Sequence, residues 1–345
     1  MFISAGSTVG RLISLFFLAA GLSFFGVLLY FLDARAIGRE IGRAGIYFPF
    51  IILPYFVATW INTVGWRYCF SEKPAIRMIR LLWLRLIGET MNTITPTAYM
   101  GGEPVKVFLL ERHGVNMVDG ASSVVVAKTV MTIAEALFVL IGICIAIYQI
   151  GTGPAIMKGL MWAMVAFLPL CVALLVAQRL GMFGAIMRFL RYLGLKGAAL
   201  AKVESRMISL DEKLSRYYRE NRRGMTFGIL FHFLGWVAGV GETYFVLWLL
   251  GVPVNWGMAF AIESIVAMIK GAIFFLPGGI GATEGGNILI FDAYGLPATT
   301  ALSFSILRRF REIFYISLGM LLFSRYQLGG RWQVPTNTET SEVQS

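Results

Sequence analysis

Apolar runs of about 20 residues recur along the whole chain, and they restrict its fold more than any other feature. A helix of that length crosses roughly 30 Å of hydrocarbon. Such runs are expected to be spans near residues 12–32, 46–66, 121–148, 154–178, 225–250, 257–276 and 299–324. Lipid offers the backbone no hydrogen-bond partners, so helices suit apolar runs of this length. The pattern predicts an all-α fold, a polytopic transmembrane helix bundle with about seven spans (six to eight).

The composition excludes an ordinary soluble protein. Of 345 residues, 57% are hydrophobic and 14% are charged, whereas about a quarter of the residues in soluble domains are charged. The mean hydropathy is +0.73. We expect one integral membrane domain over residues 1–331 and a disordered polar tail over 332–345.

The net charge of +11 indicates lipid rather than nucleic acid as the partner, because Lys and Arg of membrane proteins collect in cytoplasmic loops facing anionic headgroups. The segment 179–223 holds 11 Lys or Arg and four acidic residues among apolar ones. It is predicted to be a basic amphipathic cytoplasmic segment, which either docks on anionic lipid or only sets the topology. With this segment inside, counting spans also places the N-terminus in the cytoplasm.

Catalytic and metal-binding patterns are not found in the sequence. The two histidines, His113 and His232, are not part of a catalytic pattern with Ser, Cys or carboxylate residues, and Cys69, Cys144 and Cys171 form no CxxC pair. No nucleotide loop, zinc motif or nucleophile elbow occurs. We expect no enzyme activity, no cofactor and no metal.

Two segments with matched spacing, PTAYMGGE and PGGIGATE, interrupt the apolar pattern. In both, a proline precedes a glutamate by seven residues, and this glutamate precedes a glycine by eleven. The matched residues are Pro96, Glu103 and Gly114 in the first segment and Pro277, Glu284 and Gly295 in the second. A basic residue then follows in the next span. If one extra residue is allowed between the glycine and this basic residue in the first segment, Lys128 pairs with Arg308. We interpret these segments as an internal repeat.

Paired segments broken by Gly and Pro are typical of transporters, where they mark the binding site between the two repeats. Residues 82–100 and 273–294 are therefore expected to form re-entrant or broken helices. The alternative is that they are ordinary cytoplasmic turns. The span count places both breaks on the cytoplasmic side, which favours a parallel repeat, but one miscounted half-span makes the repeat inverted.

Charged residues also occur deep within the predicted spans. Lys128 and Glu135 are seven residues apart, as are Glu263 and Lys270, and seven residues are about two helical turns. Each pair therefore shares one helix face. Because a central charge costs at least about 2.5 kcal/mol in a bilayer, these side chains are expected to face inward. Glu135, Glu263 and Lys270 serve either as ion pairs in helix packing or in coupling transport to ions.

A phosphate-bearing headgroup is bound by cations and by helix N-terminal amides. The glycine-rich breaks expose amides, and basic residues lie close to them in the sequence. These residues are Lys106, Arg112, Lys128, Arg308 and Arg309. We predict a site for an anionic lipid headgroup, in which Glu103 and Glu284 either pair with these cations in the empty state or carry protons.

The stretch NTITPTAYMGGEPVKVFLLERHG with ASSVVVAKT after it, and FFLPGGIGATEGG with LRRF after it, resemble the lysylphosphatidylglycerol synthase transmembrane-region family of flippase-like bacterial proteins. The resemblance covers roughly residues 10–325 and implies a helical inner-membrane domain with re-entrant segments that moves a lipid between leaflets. The family's motif positions correspond here to Asn92, Pro96, Gly101, Gly102, Glu103, Lys106, Pro277, Gly278, Gly279, Gly281, Glu284 and Arg308.

The resemblance implies a bacterial inner-membrane flippase or transporter for an anionic or polyprenyl/glycolipid substrate. Two-domain members of the family carry a soluble aminoacyl-transferase half, and this chain is expected to lack it and to translocate lipid without aminoacylating it. A separate lipid-synthesising enzyme is a further expected partner. Two alternatives stay open: an accessory subunit or enzyme of glycolipid or hopanoid synthesis, and an ion-coupled transporter of a small solute.

Overall fold

The computed structural model describes residues 44–95, 101–151, 175–193, 198–272 and 282–328, with isolated positions at 42, 153 and between 158 and 173. The predicted span at 12–32, most of the span at 154–178 and the tail at 332–345 lie outside these residues. The division into a membrane domain and a tail therefore stays a prediction.

The described residues fold into helices without any strand, which confirms the all-α class. The α-helices are α1 (Ile52–Tyr68), α2 (Met78–Ile94), α3 (Gly102–Glu111), α4 (Met117–Ile150), α5 (Met182–Tyr192), α6 (Ala198–Glu220), α7 (Arg222–Leu249), α8 (Trp256–Ala272), α9 (Ala282–Ala293) and α10 (Ala298–Leu328). A 3₁₀ helix, Gly45–Ile51, leads directly into α1. The core forms where α7 packs along α1 and α4, and where α8 packs along α4.

Among the described helices, three stretches are long and apolar enough to cross a membrane: Gly45–Tyr68, α4 and α7. They coincide with the spans predicted near 46–66, 121–148 and 225–250. Helices α8 and α10 coincide with two further predicted spans. However, α8 has only 17 residues, which is short for a span, and the apolar sequence of α10 contains the charged stretch RRFRE. The total of seven crossings stays a prediction.

Side-chain contacts define one end of the bundle, here termed the Asp119 end. Lys213 of α6 forms an ion pair with Asp119 near the start of α4. The hydroxyl of Tyr217, also on α6, donates to the carbonyl of Tyr68 at the end of α1, at 2.9 Å. The end of α1, the start of α4 and the basic helix α6 therefore lie together.

Helices α2 and α3 form a hairpin that starts and finishes at the Asp119 end. Helix α2 begins a short loop after α1. Just beyond α3, Arg112 donates to the carbonyl of Tyr326 near the end of α10, at 3.4 Å, and Leu110 of α3 packs in one cluster with Leu214 of α6. The chain enters the bundle along α2 and returns along α3.

Helices α8 and α9 form a second hairpin, which starts and finishes at the opposite end, here termed the Gln149 end. Gln149, near the end of α4, donates to the side-chain oxygen of Asn255 just before α8, at 3.4 Å. It also accepts from the hydroxyl of Tyr294 just after α9, at 2.8 Å. The two hairpins therefore enter from opposite ends, and the parallel arrangement favoured by the span count is wrong. The repeat is inverted. The prediction failed because the span count assigned both breaks to the cytoplasmic side.

The basic segment 179–223 contains α5 and α6, and α6 is amphipathic as expected. It buries an apolar face against the bundle, comprising Leu210, Leu214, Tyr217 and Tyr218. Met187 of α5 is also buried, while Phe189 on the same helix is exposed. Both helices lie at the Asp119 end, because Asp211 of α6 accepts from the first amides of α5.

Candidate functional site

The break between α2 and α3 is bridged by Asn92, which lies near the end of α2. Its side-chain amide donates to Oε1 of Glu103 at 3.1 Å, and its oxygen accepts from the backbone amide of Gly102 at 2.7 Å. The first amides of a helix have no partner within the helix, so Asn92 caps α3 from across the break. This contact fixes Glu103 in the first turn of α3.

Two lysines converge on Glu103. The ammonium of Lys106 lies 3.0 Å from the carboxylate, and that of Lys128, on α4, lies 4.0 Å from it. Lys106 also lies 5.9 Å from the centroid of the Trp66 ring, within the range of a cation–π contact. The side chain of Lys106 is 12% exposed and that of Lys128 is 44% exposed. Lys128 is therefore the cation that an incoming ligand can reach.

The start of α3 packs tightly against α2. A Cβ atom added at Gly102 would overlap the carbonyl oxygen of Gly88, and a Cβ atom at Gly88 would overlap the aliphatic stem of Lys106. The predicted site residue Gly101 is the N-cap of α3. These glycines allow the carboxylate and its lysine to be held between two closely packed helices.

The second hairpin holds a corresponding carboxylate. Glu284, in the first turn of α9, accepts two hydrogen bonds from Arg309 of α10, at 2.8 and 3.1 Å. Arg309 also donates to Glu312 at 2.8 Å, and the ammonium of Lys270 on α8 lies 2.9 Å from Glu312. Ion pairs thus connect α8, α9 and α10.

The turns after the two hairpins have the same backbone geometry. Gly114 follows α3 with φ of 82°, and Gly295 follows α9 with φ of 70°, a left-handed conformation that glycine adopts without strain. In each turn the amide after the glycine donates to the carbonyl five residues earlier, at 3.1 and 2.9 Å, as in a Schellman motif. This shared turn fixes the register of the repeat.

The cation that contacts the hairpin glutamate lies 14 residues after the glycine in both repeats. It is Lys128 in the first repeat and Arg309 in the second. The predicted pairing of Lys128 with Arg308 is therefore wrong by one residue. It arose from the one extra residue that was allowed between the glycine and the cation.

Arg308 is directed elsewhere. Its guanidinium donates to both oxygens of Glu263 on α8, at 2.6 and 3.0 Å, and lies 3.4 Å from Glu242 on α7. Arg311 donates to the same Glu242 at 2.7 Å. All four side chains are buried. The predicted residues Arg308 and Glu263 thus form an interhelical ion pair, and Glu263 does not pair with Lys270.

Tyr55 of α1 connects the charged groups of the two hairpins. Its hydroxyl donates to Glu89 of α2 at 3.4 Å, and Glu89 pairs with Arg85 at 2.6 Å. The guanidinium of Arg311 lies 4.4 Å from the Tyr55 ring centroid. Tyr55 therefore links the Arg85–Glu89 pair of α2 to Arg311 of α10.

Four of these charged residues were not predicted from the sequence, namely Arg85, Glu89, Arg311 and Glu312. On α10 the signal was present, because Arg308, Arg311 and Glu312 recur at the spacing that places side chains on one helix face. Arg85 and Glu89, four residues apart on α2, satisfy the same rule.

A small polar cavity, with room for about one water molecule, lies between α8, α9 and α10. Its lining combines cations, carboxylates and neutral hydrogen-bonding groups, namely Val266, Lys270, Thr283, Glu284, Asn287, Ser305, Arg308, Arg309 and Glu312. The Asn287 side-chain oxygen is buried and has no hydrogen-bond partner among the described residues. Cationic and amide groups thus face a space about the size of a water molecule, so the second hairpin is closed around its ion pairs in this structure.

The remaining predicted site residues are dispersed. Arg112 lies at the Asp119 end, where it packs 4.6 Å from the Phe108 ring centroid, a full helix away from Glu103. Glu135, on α4, faces Gly271 at the end of α8. The predicted positions Pro96, Pro277, Gly278, Gly279 and Gly281 lie outside the described residues.

Within the described ranges, no group of three or more His, Cys, Asp or Glu side chains is arranged to hold a metal ion. His232 is buried, with Nδ1 2.8 Å from the carbonyl of Gly228, and Cys69 and Cys144 are free thiols. The expected absence of a metal, a cofactor and a catalytic centre stays a prediction.

Comparison with known proteins agrees with this architecture. A UPF0104 membrane protein of Methanothermobacter thermautotrophicus is 24% identical over 297 residues, which cover 79% of this chain and 81% of that protein. A UPF0104 membrane protein of Pyrococcus horikoshii is 22% identical over 297 residues, covering 82% and 88%. No solved structure matches the chain.

A family model, described as the lysylphosphatidylglycerol synthase TM region, matches residues 12–319. The match extends from the first predicted span into α10 and includes both hairpins and both Glu–cation pairs. The resemblance inferred from the two broken segments is therefore confirmed. This chain belongs to the lysylphosphatidylglycerol synthase transmembrane-region family.

Proposed function

We propose that the protein is a lipid flippase that moves a lipid with an anionic or polyprenyl-linked sugar headgroup between the leaflets of the cytoplasmic membrane. One observation carries this proposal. Two hairpins enter the bundle from opposite ends, and each presents a glutamate in its short second helix to a cation on the following long helix, Glu103 to Lys128 and Glu284 to Arg309. Inverted repeats with broken helices are the architecture of transporters with a central site.

In a membrane, both hairpins become re-entrant segments. Helix α3 has 10 residues and α9 has 12, so at about 1.5 Å per residue neither crosses a hydrocarbon core of about 30 Å. Their broken backbones are tolerated at depth because the neighbouring helices cover them. The carboxylates in the first turns of α3 and α9 then lie inside the bilayer region rather than at its surface.

The basic segment 179–223 sets the orientation. Its location at the Asp119 end supports a cytoplasmic position for that end, because basic segments of membrane proteins collect in the cytoplasm. The first hairpin then opens toward the cytoplasm and the second toward the opposite side. Helix α1 runs toward the Asp119 end, so one preceding span at 12–32 puts the N-terminus in the cytoplasm as well.

Lys128 is the first contact for the headgroup. It is half exposed and lies 4.0 Å from Glu103, so its ion pair is weak and a phosphate can replace the carboxylate. Arg309 is its counterpart in the second repeat, but it is buried and bound to Glu284 and Glu312. The first site is therefore open to ligand while the second site is closed.

Reconstitution tests the proposal. The purified protein is placed in liposomes with fluorescent lipids of several headgroup classes, and transfer between leaflets is followed by quenching from outside. We expect transfer of anionic or polyprenyl-linked lipids, loss of transfer in Glu103→Gln and Glu284→Gln, and normal transfer in Arg223→Gln, which alters an exposed cation outside the hairpins.

The alternatives predict other results. Absence of transfer for every headgroup class rules out the flippase. Uptake of a small polar solute by the same liposomes then favours the ion-coupled solute transporter. Stimulation of a lipid-synthesising enzyme on addition of the protein favours an accessory role in glycolipid or hopanoid synthesis.

A further inference from the structure

Glu135 differs from the other acidic residues inside the bundle. Within the part of the chain that the structure describes, each of the others contacts a cation, namely Glu89, Glu103, Glu242, Glu263, Glu284 and Glu312. Glu135 lies on α4, the most apolar of the described spans. It forms neither an ion pair nor a hydrogen bond with any described residue.

The position of Glu135 makes a charge there costly. It lies halfway along α4, which runs from Met117 to Ile150, so a bilayer centred on this span has its midplane at the level of Glu135. An ionised carboxylate at this depth requires a partner or water, and isolated carboxyl groups in membrane domains are typical of proton pathways. Binding a proton removes the charge without requiring a partner side chain.

Glu135 lies between the two hairpins. One of its carboxylate oxygens is 3.7 Å from the point where a Cβ atom of Gly271 would be, at the end of α8 in the second hairpin. Lys128 precedes it by seven residues on the same face of α4, and reaches Glu103 of the first hairpin at 4.0 Å. The carboxyl group is thus placed to influence both.

The charged side chains that the neighbouring helices direct into the bundle near α4 are already paired. On α2, Arg85 binds Glu89 and approaches the sulfur of Met131, one turn from Glu135. Lys106 on α3 binds Glu103, and Lys213 on α6 binds Asp119. Glu242 on α7 binds Arg311. On α8, Glu263 binds Arg308 and Lys270 binds Glu312. On α7, His232 directs Nδ1 at a backbone carbonyl. Helix α1 contributes only Arg67, in its last turn. Lys128 is the cation most able to respond to Glu135, because it is the most exposed and the most loosely held.

We propose that Glu135 is a proton-binding site that couples headgroup movement to the proton gradient, an inference that rests on the proposed flippase function. When ionised, Glu135 attracts the Lys128 ammonium along α4 and competes with an anionic headgroup for it. When a proton from water binds the carboxylate, Lys128 is free to bind the headgroup phosphate. Proton and headgroup therefore bind cooperatively, cross together, and the proton leaves to water on the other side.

The experiment uses the full chain in liposomes with a fluorescent anionic phospholipid, a pH difference of about one unit, and a pH-sensitive dye inside. For one proton moved per lipid, the leaflet ratio shifts up to about tenfold per pH unit. We expect this shift, and proton movement that depends on the lipid, in the wild-type protein and in Glu111→Gln, which alters an exposed acid. Glu135→Gln should still transfer lipid, but its leaflet ratio should not change with the pH difference. Glu135→Asp should keep a pH-dependent leaflet ratio.

The outcomes separate the two proposals. Lipid transfer in the wild type that ignores the pH difference overturns the role of Glu135 and leaves the flippase intact. A response to the gradient in Glu135→Gln equal to that of the wild type also overturns this role. If the wild type transfers no lipid under any gradient, the flippase proposal fails and the coupling fails with it. Gel filtration and circular dichroism of Glu135→Gln verify that it is folded.

Discussion

The guanidinium of Arg308 holds the carboxylate of Glu263 through two hydrogen bonds, at 2.6 and 3.0 Å, joining α10 to α8. The next residue, Arg309, points instead to Glu284 on α9. Adjacent arginines of one helix therefore bind two different elements of the second hairpin. This division of roles makes Arg308 part of the scaffold, whereas Arg309 holds the glutamate that opens α9.

Removing one partner of the Arg308–Glu263 pair is expected to destabilise the protein. Both side chains are buried, and breaking a buried ion pair leaves an uncompensated charge at a cost of about 3–5 kcal/mol. Thermal unfolding in detergent should show a strong loss of stability for Arg308→Ala. Arg308→Lys should be intermediate, because an ammonium cannot donate the paired hydrogen bonds. Melting temperatures equal to that of Arg223→Gln would contradict the scaffold role.

Lys128 and Arg309 should respond differently to loss of charge, although they occupy equivalent places in the repeat. The side chain of Lys128 is 44% exposed and that of Arg309 is 5% exposed. An exposed ion pair contributes about 0–1 kcal/mol, so Lys128→Gln should leave stability nearly unchanged while reducing binding and transfer of anionic lipid. Arg309→Gln should lower both stability and transfer. Lipid-binding titrations and melting curves of both variants test this prediction. Equal melting temperatures for Lys128→Gln and Arg309→Gln would contradict it.

Gly102 is expected to tolerate no side chain. A Cβ atom there would overlap the carbonyl oxygen of Gly88, and relieving such overpacking costs about 1–3 kcal/mol. Gly102→Ala should therefore destabilise the first hairpin and reduce transfer. Gly285 of α9 is a matched control, because a Cβ atom there meets no atom within 4 Å. Gly285→Ala should be neutral or slightly stabilising, and similar melting curves for both variants would disprove the packing argument.

The two hairpins should be accessible from opposite sides of the membrane. Glu111, at the end of α3, and Asp292, near the end of α9, are both exposed. In a chain with Cys69, Cys144 and Cys171 replaced, Asp292→Cys should react with an impermeant thiol reagent added to intact cells. Glu111→Cys should react only after permeabilisation. Labelling of both cysteines from the same side would contradict the inverted arrangement and favour parallel repeats.

Much of the candidate site was predictable because its signals are local. Pro, Gly and Glu interrupt an apolar run at fixed spacing, and such breaks depend on nearby backbone chemistry alone. Glu103 and Glu284, which lie in the first turns of two short helices, were therefore singled out from the sequence. The partner of Glu284 was not, because a cation 25 residues away is selected by helix packing, and a shift of one residue rotates it by about 100° around the helix.

The sequence by itself determined that this chain is a helical membrane protein whose apolar pattern is interrupted twice by Gly and Pro, since these signals act residue by residue along the chain. Only the tertiary structure decided that the two hairpins enter from opposite ends, that Lys128 corresponds to Arg309, and that Arg308 belongs to Glu263. Those relationships depend on the direction in which each helix runs and on the face it buries. Contacts such as those of Gln149 with Asn255 and Tyr294 fix them.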